Sequence, residues 1–502
     1  MDKEGISLSK RLPIFYSALL LTSVNLLLRL IGTSFQVYLS GRIGAAGIGL
    51  LQLVMSVGGL AMVAGMAGIR TGSMYLTAEE LGRKMPGRVT WVLSGCFLYS
   101  LCFSGTIAGL LYSFAPQIAA LWIGDLRTVD ALRLFAAGLP VTGLCGVMCG
   151  YFTASNRIGT LAAVEVAEQL CSMVVTMAGL SLWAGTDASK ACQCVILGNL
   201  AGICLTLGCL VLLRILEKPE SGERLPVRRR LLQTALPLGA ADVLKSGINT
   251  TENLMVPKRL ARNTRVENPL AAFGCLSGMV FPVLMFPACI LFGLAELLIP
   301  ELARSAAAGS NLRIRYLVKR SLKVAMLYGL LFGGLMALVA EPLCMRLYRN
   351  PEAGRFLKYY ALLVPMLYCD ALTDAMTKGL GQQKACVRYN ILTSALDVFF
   401  LYLLLPAYGM EGYFASFLIT HLINFLLSLR RLLKITCISL PFHIPVLSLA
   451  AAMAALLGAS KISGSFGKCL AYPALLYSIL YLAGIIGQED LNWLRGLVAA
   501  KK

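Results

Sequence analysis

LPIFYSALLLTSVNLLLRLIGTSFQVYLS, residues 12–40, is the stretch whose reading decides the fold. At ~1.5 Å per residue, a helix of this length crosses a bilayer. Asn25, Arg29 and Gln36 interrupt its apolar run. At ~100° per residue, Arg29 lies ~40° from Asn25 and Gln36 ~20° from it, so the three share one narrow face with Gly32. A guanidinium near mid-bilayer costs at least ~2.5–3.5 kcal/mol on insertion scales, so Arg29 is expected to face protein or water. The competing readings are a snorkelling arginine and a structural polar pair between helices. The depth of Arg29 inside the segment favours a water-lined cavity.

Composition sets the class around this stretch. A chain of 502 residues that is 58% hydrophobic and 14% charged, with a mean hydropathy of +0.74, is a polytopic membrane protein, not a soluble globule. Its formal charge of +20 fits inner loops facing anionic membrane lipids; no basic domain stands apart to bind nucleic acid. Met1–Arg11 is charged, but the apolar segment after it is too long for a signal peptide and reads as an uncleaved first span. The sixteen cysteines lie mostly within apolar runs, without zinc-ligand spacing, and read as small buried hydrophobes. There is no GxxxxGK[ST] loop, so direct ATP coupling is not expected, nor any metal or other cofactor.

Fourteen apolar segments follow one another: 12–40, 44–72, 89–114, 131–154, 158–183, 191–214, 231–256, 270–298, 320–341, 357–380, 388–406, 411–433, 441–460 and 469–487. The expected fold class is therefore an all-α polytopic membrane protein of about 14 transmembrane helices. With both termini cytoplasmic, 28 of the 45 lysines and arginines fall inside, 14 outside and 3 within spans. That bias predicts an N-in, C-in protein of the cytoplasmic membrane. Two outer loops resist it: Lys258, Arg259, Arg262 and Arg265 in one, Arg346, Arg349, Arg355 and Lys358 in the other.

The chain also repeats itself. Leu132-Arg133-Leu134-Phe135-Ala136 up to Pro140 is echoed by Leu357-Lys358-Tyr359-Tyr360-Ala361 up to Pro365, at a constant offset of 225 residues (133 to 358, 140 to 365). Each copy continues through a helix, a short turn (154–157; 379–382) and another span. The expected organisation is a six-helix lobe over 1–215, a cytoplasmic linker over 216–230, a second six-helix lobe over 231–434, and two additional helices with a tail over 435–502. An even number of spans per copy relates the halves by an axis along the membrane normal.

Facing lobes should turn polar faces to the gap between them. In the seventh segment Asp242, Lys245, Asn249, Glu252 and Asn253 fall within ~100° of arc. The second segment carries Gln52 and ends in Gly65-Met66-Ala67-Gly68-Ile69-Arg70-Thr71-Gly72, whose glycines allow close packing or an unwound turn. Glu165 and Glu168 lie in the fifth segment, and Asn390 and Asp397 in the eleventh. In the tenth, Asp370 and Asp374 are one turn apart: they share a proton or hold a cation, or else pair with Lys378 a turn further on. Pro282 and Pro287 with Gly293 predict a bend in the eighth. Arg29, Arg70 and Lys245 would bring about three cations into a cavity. Guanidinium groups bind phosphates bidentately, so such a cavity favours an anionic cargo, with Asp242 and Glu252 holding the cations when it is absent.

The polar first span, the glycine-rich end of the second, Leu298-Ile299-Pro300-Glu301-Leu302 and Lys378-Gly379-Leu380-Gly381-Gln382 resemble the polysaccharide-type flippases of the multidrug/oligosaccharidyl-lipid/polysaccharide exporter superfamily, nearest its stage V sporulation protein B branch. That resemblance implies two six-helix bundles in a V, alternating access, and movement of a lipid-linked pyrophosphate oligosaccharide or peptidoglycan precursor. It implies a role in envelope or spore-cortex assembly, beside cell-wall synthesis enzymes as candidate partners. It also implies that Arg29 and Arg70 correspond to cavity arginines of lipid II flippases. From the residues themselves come the further substrate contacts Asn25, Gln36, Lys245 and Asn249, and the coupling or cavity acids Asp242, Glu252, Asp370 and Asp374. A cation-coupled multidrug exporter of the same fold, using Asp370, Asp374 or Asp242, is the alternative. A membrane glycan polymerase is a third reading; it would need an outer-face acid or histidine site, and no nucleophile motif is present, so the chain is not expected to be an enzyme.

Overall fold

Each of the fourteen apolar segments becomes helix in a computed structural model that describes residues 5–83, 85–185, 187–217, 227–439 and 443–487; side chains are described from Val24 on, those at 25, 86, 158, 228 and 238 excepted. Among the described residues there is no strand. Nine helices there are long and apolar enough to cross a membrane, or up to ten when one bent pair is taken as a single span. The nine include one stretch of 57 residues, Leu26–Gly82, which is long enough for two crossings. The protein is an all-α, multi-pass membrane protein.

Packing gathers the chain into two compact units: Met1–Gly278 with Val398–Met410, and Met279–Asp397 with Glu411–Lys502. In the first, α1 (Gly5–Met66) is two helices joined with no loop at Gly44, whose φ of 70° and ψ of 177° end one span and begin the next. Only glycine takes that backbone conformation without strain. A second break follows at Ala67 and Gly68, both at positive φ (41° and 73°), before α2 (Ile69–Gly82). The glycine-rich stretch thus delivers both the turn and the close packing its composition allows. A Cβ at Gly68 would collide with the carbonyl oxygen of Ala235 on α7 (Val227–Leu260), and one at Gly239 would collide with the backbone of Ala67. The buried Tyr99 hydroxyl donates to the Ala67 carbonyl (3.1 Å), satisfying a group exposed by the break, as the apolar core of a bilayer requires.

The other helices of this unit are α3 (Pro86–Ile118), α4 (Val129–Ala154), α5 (Ile158–Gly179), α6 (Ala188–Leu216) and α8 (Pro269–Cys275). Its core includes Ile69, Val147, Met148, Phe152, Leu210 and Ala235. Through Leu231 and Ala235, α7 packs into that core, although in sequence it opens the second copy of the repeat. Small residues on α2 and α7 decide its company: glycine and alanine surfaces permit backbone approach that bulkier neighbours forbid.

In the second unit the eighth segment is broken as its prolines predict. After a π turn at Leu276–Val280 come α9 (Phe281–Met285) and α10 (Ala288–Ala307), with a 62° bend between Pro269–Met285 and Ala288–Ala307. Carbonyls near the bend accept from tyrosines: Tyr368 Oη donates to Leu284 O (2.9 Å) and Tyr328 Oη to Pro287 O (2.8 Å). The tenth segment, expected as one span over 357–380, is also split, into α12 (Pro351–Ala361) and α13 (Val364–Gly379). Its counterpart α4 carries Pro140 and stays continuous; Pro365, at the start of α13, marks the break. The turns after both hairpins match at the same offset, with Asn156 and Gly381 at φ 58° and 76°. The unit continues with α11 (Asn311–Tyr348), α14 (Gln383–Tyr408) and α15 (Met410–Thr436). The two appended helices, α16 (His443–Ser460) and α17 (Ser465–Leu482), pack on α11. There Tyr472 fits against Gly334 and donates to Leu330 O at 2.8 Å.

Candidate functional site

Arg70 sits in the first turn of α2, immediately after the Ala67–Gly68 break. Glycines on α4 let it approach: a Cβ at Gly150 would reach the Arg70 carbonyl within 2.5 Å, and one at Gly146 would stand 3.9 Å from the Arg70 Cβ. The break and these glycines place the guanidinium at a cavity of about 370 Å³ inside the first unit. Leu28, Met66, Cys145, Cys149 and Ile203 give it apolar walls. Its polar groups are Arg70, Thr142, Glu165, Glu168 and Gln169.

Arg70 Nη2 stands 3.7 Å from Glu165 Oε1, with the arginine side chain 56% and the glutamate 32% exposed. That separation is an ion pair without a tight hydrogen bond, and pairs this wet are worth ~1 kcal/mol or less. Glu168 is held elsewhere: Thr206 donates to its Oε2 at 2.6 Å. Among the described residues a single acid therefore engages the arginine loosely, and a ligand with two phosphate oxygens can compete for it.

The remaining sequence candidates are distributed. Arg29 is exposed on α1, next in sequence to cavity-lining Leu28; the side chain of Asn25 lies outside the described residues. Gln36 donates through Nε2 to Gly278 O at 3.1 Å, within the first unit. On α7, Asp242, Lys245 and Asn249 are exposed and Glu252 is half-buried. The same helix docks on the second half of α1, where Asn253 donates to Ser56 Oγ (3.0 Å) and Thr250 to Ser56 O (3.1 Å). The structure brings neither Lys245 nor Gln36 to the wall of the Arg70 cavity.

In the second unit the acids take separate partners. Asn424 Nδ2 donates to both oxygens of Asp370 (3.2 and 3.0 Å). Asp374 pairs with Lys378, one turn along, at 2.6 Å. Asp397, 6% exposed, accepts from Ser416 (2.6 Å) and Thr420 (3.1 Å). Among the described residues, no group of three or more histidines, cysteines, aspartates or glutamates has a metal-holding arrangement.

A family model described as "Polysaccharide biosynthesis protein" matches residues 49–264. Stage V sporulation protein B of Bacillus subtilis (strain 168) is 21% identical over 412 residues, 78% of each chain. Sporulation protein YkvU of the same organism is 20% identical, over 59% of this chain and 70% of its own. Among solved structures, lipid II flippase MurJ in an inward closed conformation superposes with a TM-score of 0.72 at 14% identity, covering 93% of this chain and all of its own. An inward-facing multidrug resistance MATE family transporter of the MOP superfamily gives 0.65 at 13%, over 87% and 99%. The chain is thus similar to these proteins, and it shares the fold of the MurJ and MATE structures.

For this fold, sequence reasoning singled out Arg70 and noted Glu165 and Glu168, but did not join them. The signal was present: Glu165 and Glu168 are spaced i,i+3, so they lie on one helical face. It missed Gln169; Cys145 and Cys149, expected as small buried hydrophobes, are buried and give the cavity part of its apolar wall.

Proposed function

We propose that this protein is a flippase that moves a lipid-linked pyrophosphate glycan, an oligosaccharide or peptidoglycan precursor, across the cytoplasmic membrane by alternating access between two six-helix lobes. Both termini then lie in the cytoplasm, and the work serves envelope or spore-cortex assembly beside cell-wall synthesis enzymes. The observation that carries the reading is the Arg70 guanidinium in a cavity with apolar walls, held loosely by Glu165 among the described residues. A cation so placed can meet a diphosphate, whose oxygens its fork engages bidentately. Arg29 follows Leu28 of the same cavity and is assigned as the second phosphate contact. Lys245, Asn249, Asn25 and Gln36 remain secondary candidates, Gln36 weakened by its bond to Gly278. The names of the relatives, a lipid II flippase and sporulation proteins, support this reading. The test is a leaflet-resolved assay of lipid-linked precursor in cells carrying Arg70→Ala or Arg29→Ala, with membrane abundance monitored. Trapping of precursor in the inner leaflet is expected; wild-type distribution in both variants overturns the proposal.

A second reading, a cation-coupled exporter, is favoured by two carboxylates in the second unit, half-buried Asp370 held by Asn424 and buried Asp397 held by Ser416 and Thr420. Asp242, Glu252 and Asp374 complete its candidate acids. Drug efflux lost on Asp370→Asn, with precursor distribution unchanged, selects this reading over the first.

A further inference from the structure

A second cavity of the first unit lies on another face of the same span. It is a slot of about 410 Å³ between the second half of α1 and α3, and it shares no lining residue with the Arg70 cavity. Ala61 and Ala64 form its floor by being small, while Leu110, Leu111 and Phe114 wall it; Gln117 is its one amide. Leu110 and Phe114 stay 49% and 51% exposed, as expected of walls with nothing between them in the folded chain.

One end of the slot is polar in a specific way. Leu121 and Trp122 close it, and the Leu121 carbonyl receives the Lys258 ammonium from the end of α7. The slot is thus apolar along its length, with a cation held on the backbone of Leu121, one of the residues that line it. With both termini cytoplasmic, as proposed above and on which this inference rests, Lys258 also opens one of the two outer clusters that break the positive-inside pattern. Of the rest of that cluster, Arg259 is spent on the Tyr402 ring, 3.2 Å from its centroid, while Arg262 and Arg265 are exposed. Cations held on the outer side against the usual charge bias need an anionic counterpart there.

We propose that this slot binds one acyl chain of an anionic phospholipid whose phosphate rests against Lys258. Inside a bilayer the chain leaves one apolar medium for another, so apolar contact contributes shape fit and little selectivity. Selectivity then comes from the headgroup, and one lysine near the phosphate predicts about five-fold preference for an anionic over a zwitterionic lipid. The preference should fall as salt rises.

Trp122 reports occupancy directly. The chain has four tryptophans, so Trp91→Phe, Trp183→Phe and Trp493→Phe leave it as the sole fluorophore. The full-length protein in mixed micelles is titrated with dibrominated phosphatidylglycerol and, separately, dibrominated phosphatidylcholine, whose bromines quench on contact. Half-quenching by phosphatidylglycerol is expected at about one-fifth of the phosphatidylcholine concentration. Lys258→Gln is expected to erase that ratio and keep the quenching. Ala61→Phe, or Ala64→Phe where the first does not give monodisperse protein, is expected to weaken quenching by both lipids. Equal half-quenching by the two lipids with Lys258 present overturns the proposal, because it describes ordinary surrounding lipid. Quenching unaffected by filling the slot overturns it too, as does lipid-independent dimerisation that shields Trp122.

Discussion

Gly124 and Arg349 lie 225 residues apart and end their helices in the same left-handed conformation, at φ 84° and 52°. Each is followed by a capping side chain: Asp125 accepts from the Arg127 amide (2.9 Å), Asn350 from those of Glu352 (2.9 Å) and Ala353 (3.2 Å). The repeat seen in the sequence thus extends to backbone conformation at matching positions. A glycine enters this region freely, whereas a residue with a Cβ costs ~1–2 kcal/mol. Arg349→Gly is therefore expected to stabilise the protein by up to ~1 kcal/mol, and Gly124→Ala to destabilise it by ~1 kcal/mol. Thermal unfolding in detergent reads both; shifts of the same sign would contradict the conformational argument.

The two caps differ in charge. The hydrogen bond from Arg127 holds the Asp125 carboxyl below the usual carboxylate range, despite an opposing desolvation. A depressed folded value gives stability that is complete above the unfolded carboxylate pKa, ~4, and is lost as pH falls through the folded one. Asp125→Asn, which copies Asn350, is expected to keep the cap and flatten the acid limb of the stability profile. Unfolding midpoints between pH 5 and pH 3 check this: a variant as acid-sensitive as the parent would show that another group titrates there.

The helices and several of their breaks were legible because they follow from hydropathy and from glycine, proline and asparagine at turns. Gly44, Gly68 and Pro287 each mark a break, and each can be read as a residue type. The company of α7 was less legible. Its polar face, Asp242 to Asn253, suggested a gap-lining surface, whereas its small residues, Ala235 and Gly239, set its packing against α2. Periodicity reports which residues share a face, not which neighbour that face meets. The Arg70–Glu165 pair was hidden for the same reason, since its members are 95 positions apart on α2 and α5.

Glu165 competes with any anion for Arg70. Because the pair is 3.7 Å apart and half in water, removing the competitor should raise affinity by no more than about five-fold. Binding of a polyprenyl pyrophosphate to purified protein is expected to tighten by two- to five-fold in Glu165→Gln. It should weaken at least ten-fold in Arg70→Ala, with Arg70→Lys between, since an ammonium lacks the bidentate fork. Weaker binding in Glu165→Gln would mean that the carboxylate positions the arginine for cargo instead of competing with it.

Gly239 sets where Arg70 stands. A Cβ there collides with the Ala67 backbone, and one at Gly68 with the Ala235 carbonyl; backbone cannot swing aside as a long side chain can. Gly239→Ala is expected to force α7 away from the break before α2, costing ~1–3 kcal/mol. It should also shift the guanidinium three residues on from Ala67, lowering pyrophosphate affinity although Gly239 touches no cargo. Gly247→Ala is the control, on the same helix with open space around its α-carbon; it removes glycine's helix penalty and should leave stability equal or slightly higher. Thermal midpoints and binding measured on the same preparations separate the effects. Equal stability in the two variants would show that α2 and α7 have more freedom at this contact than the glycines imply.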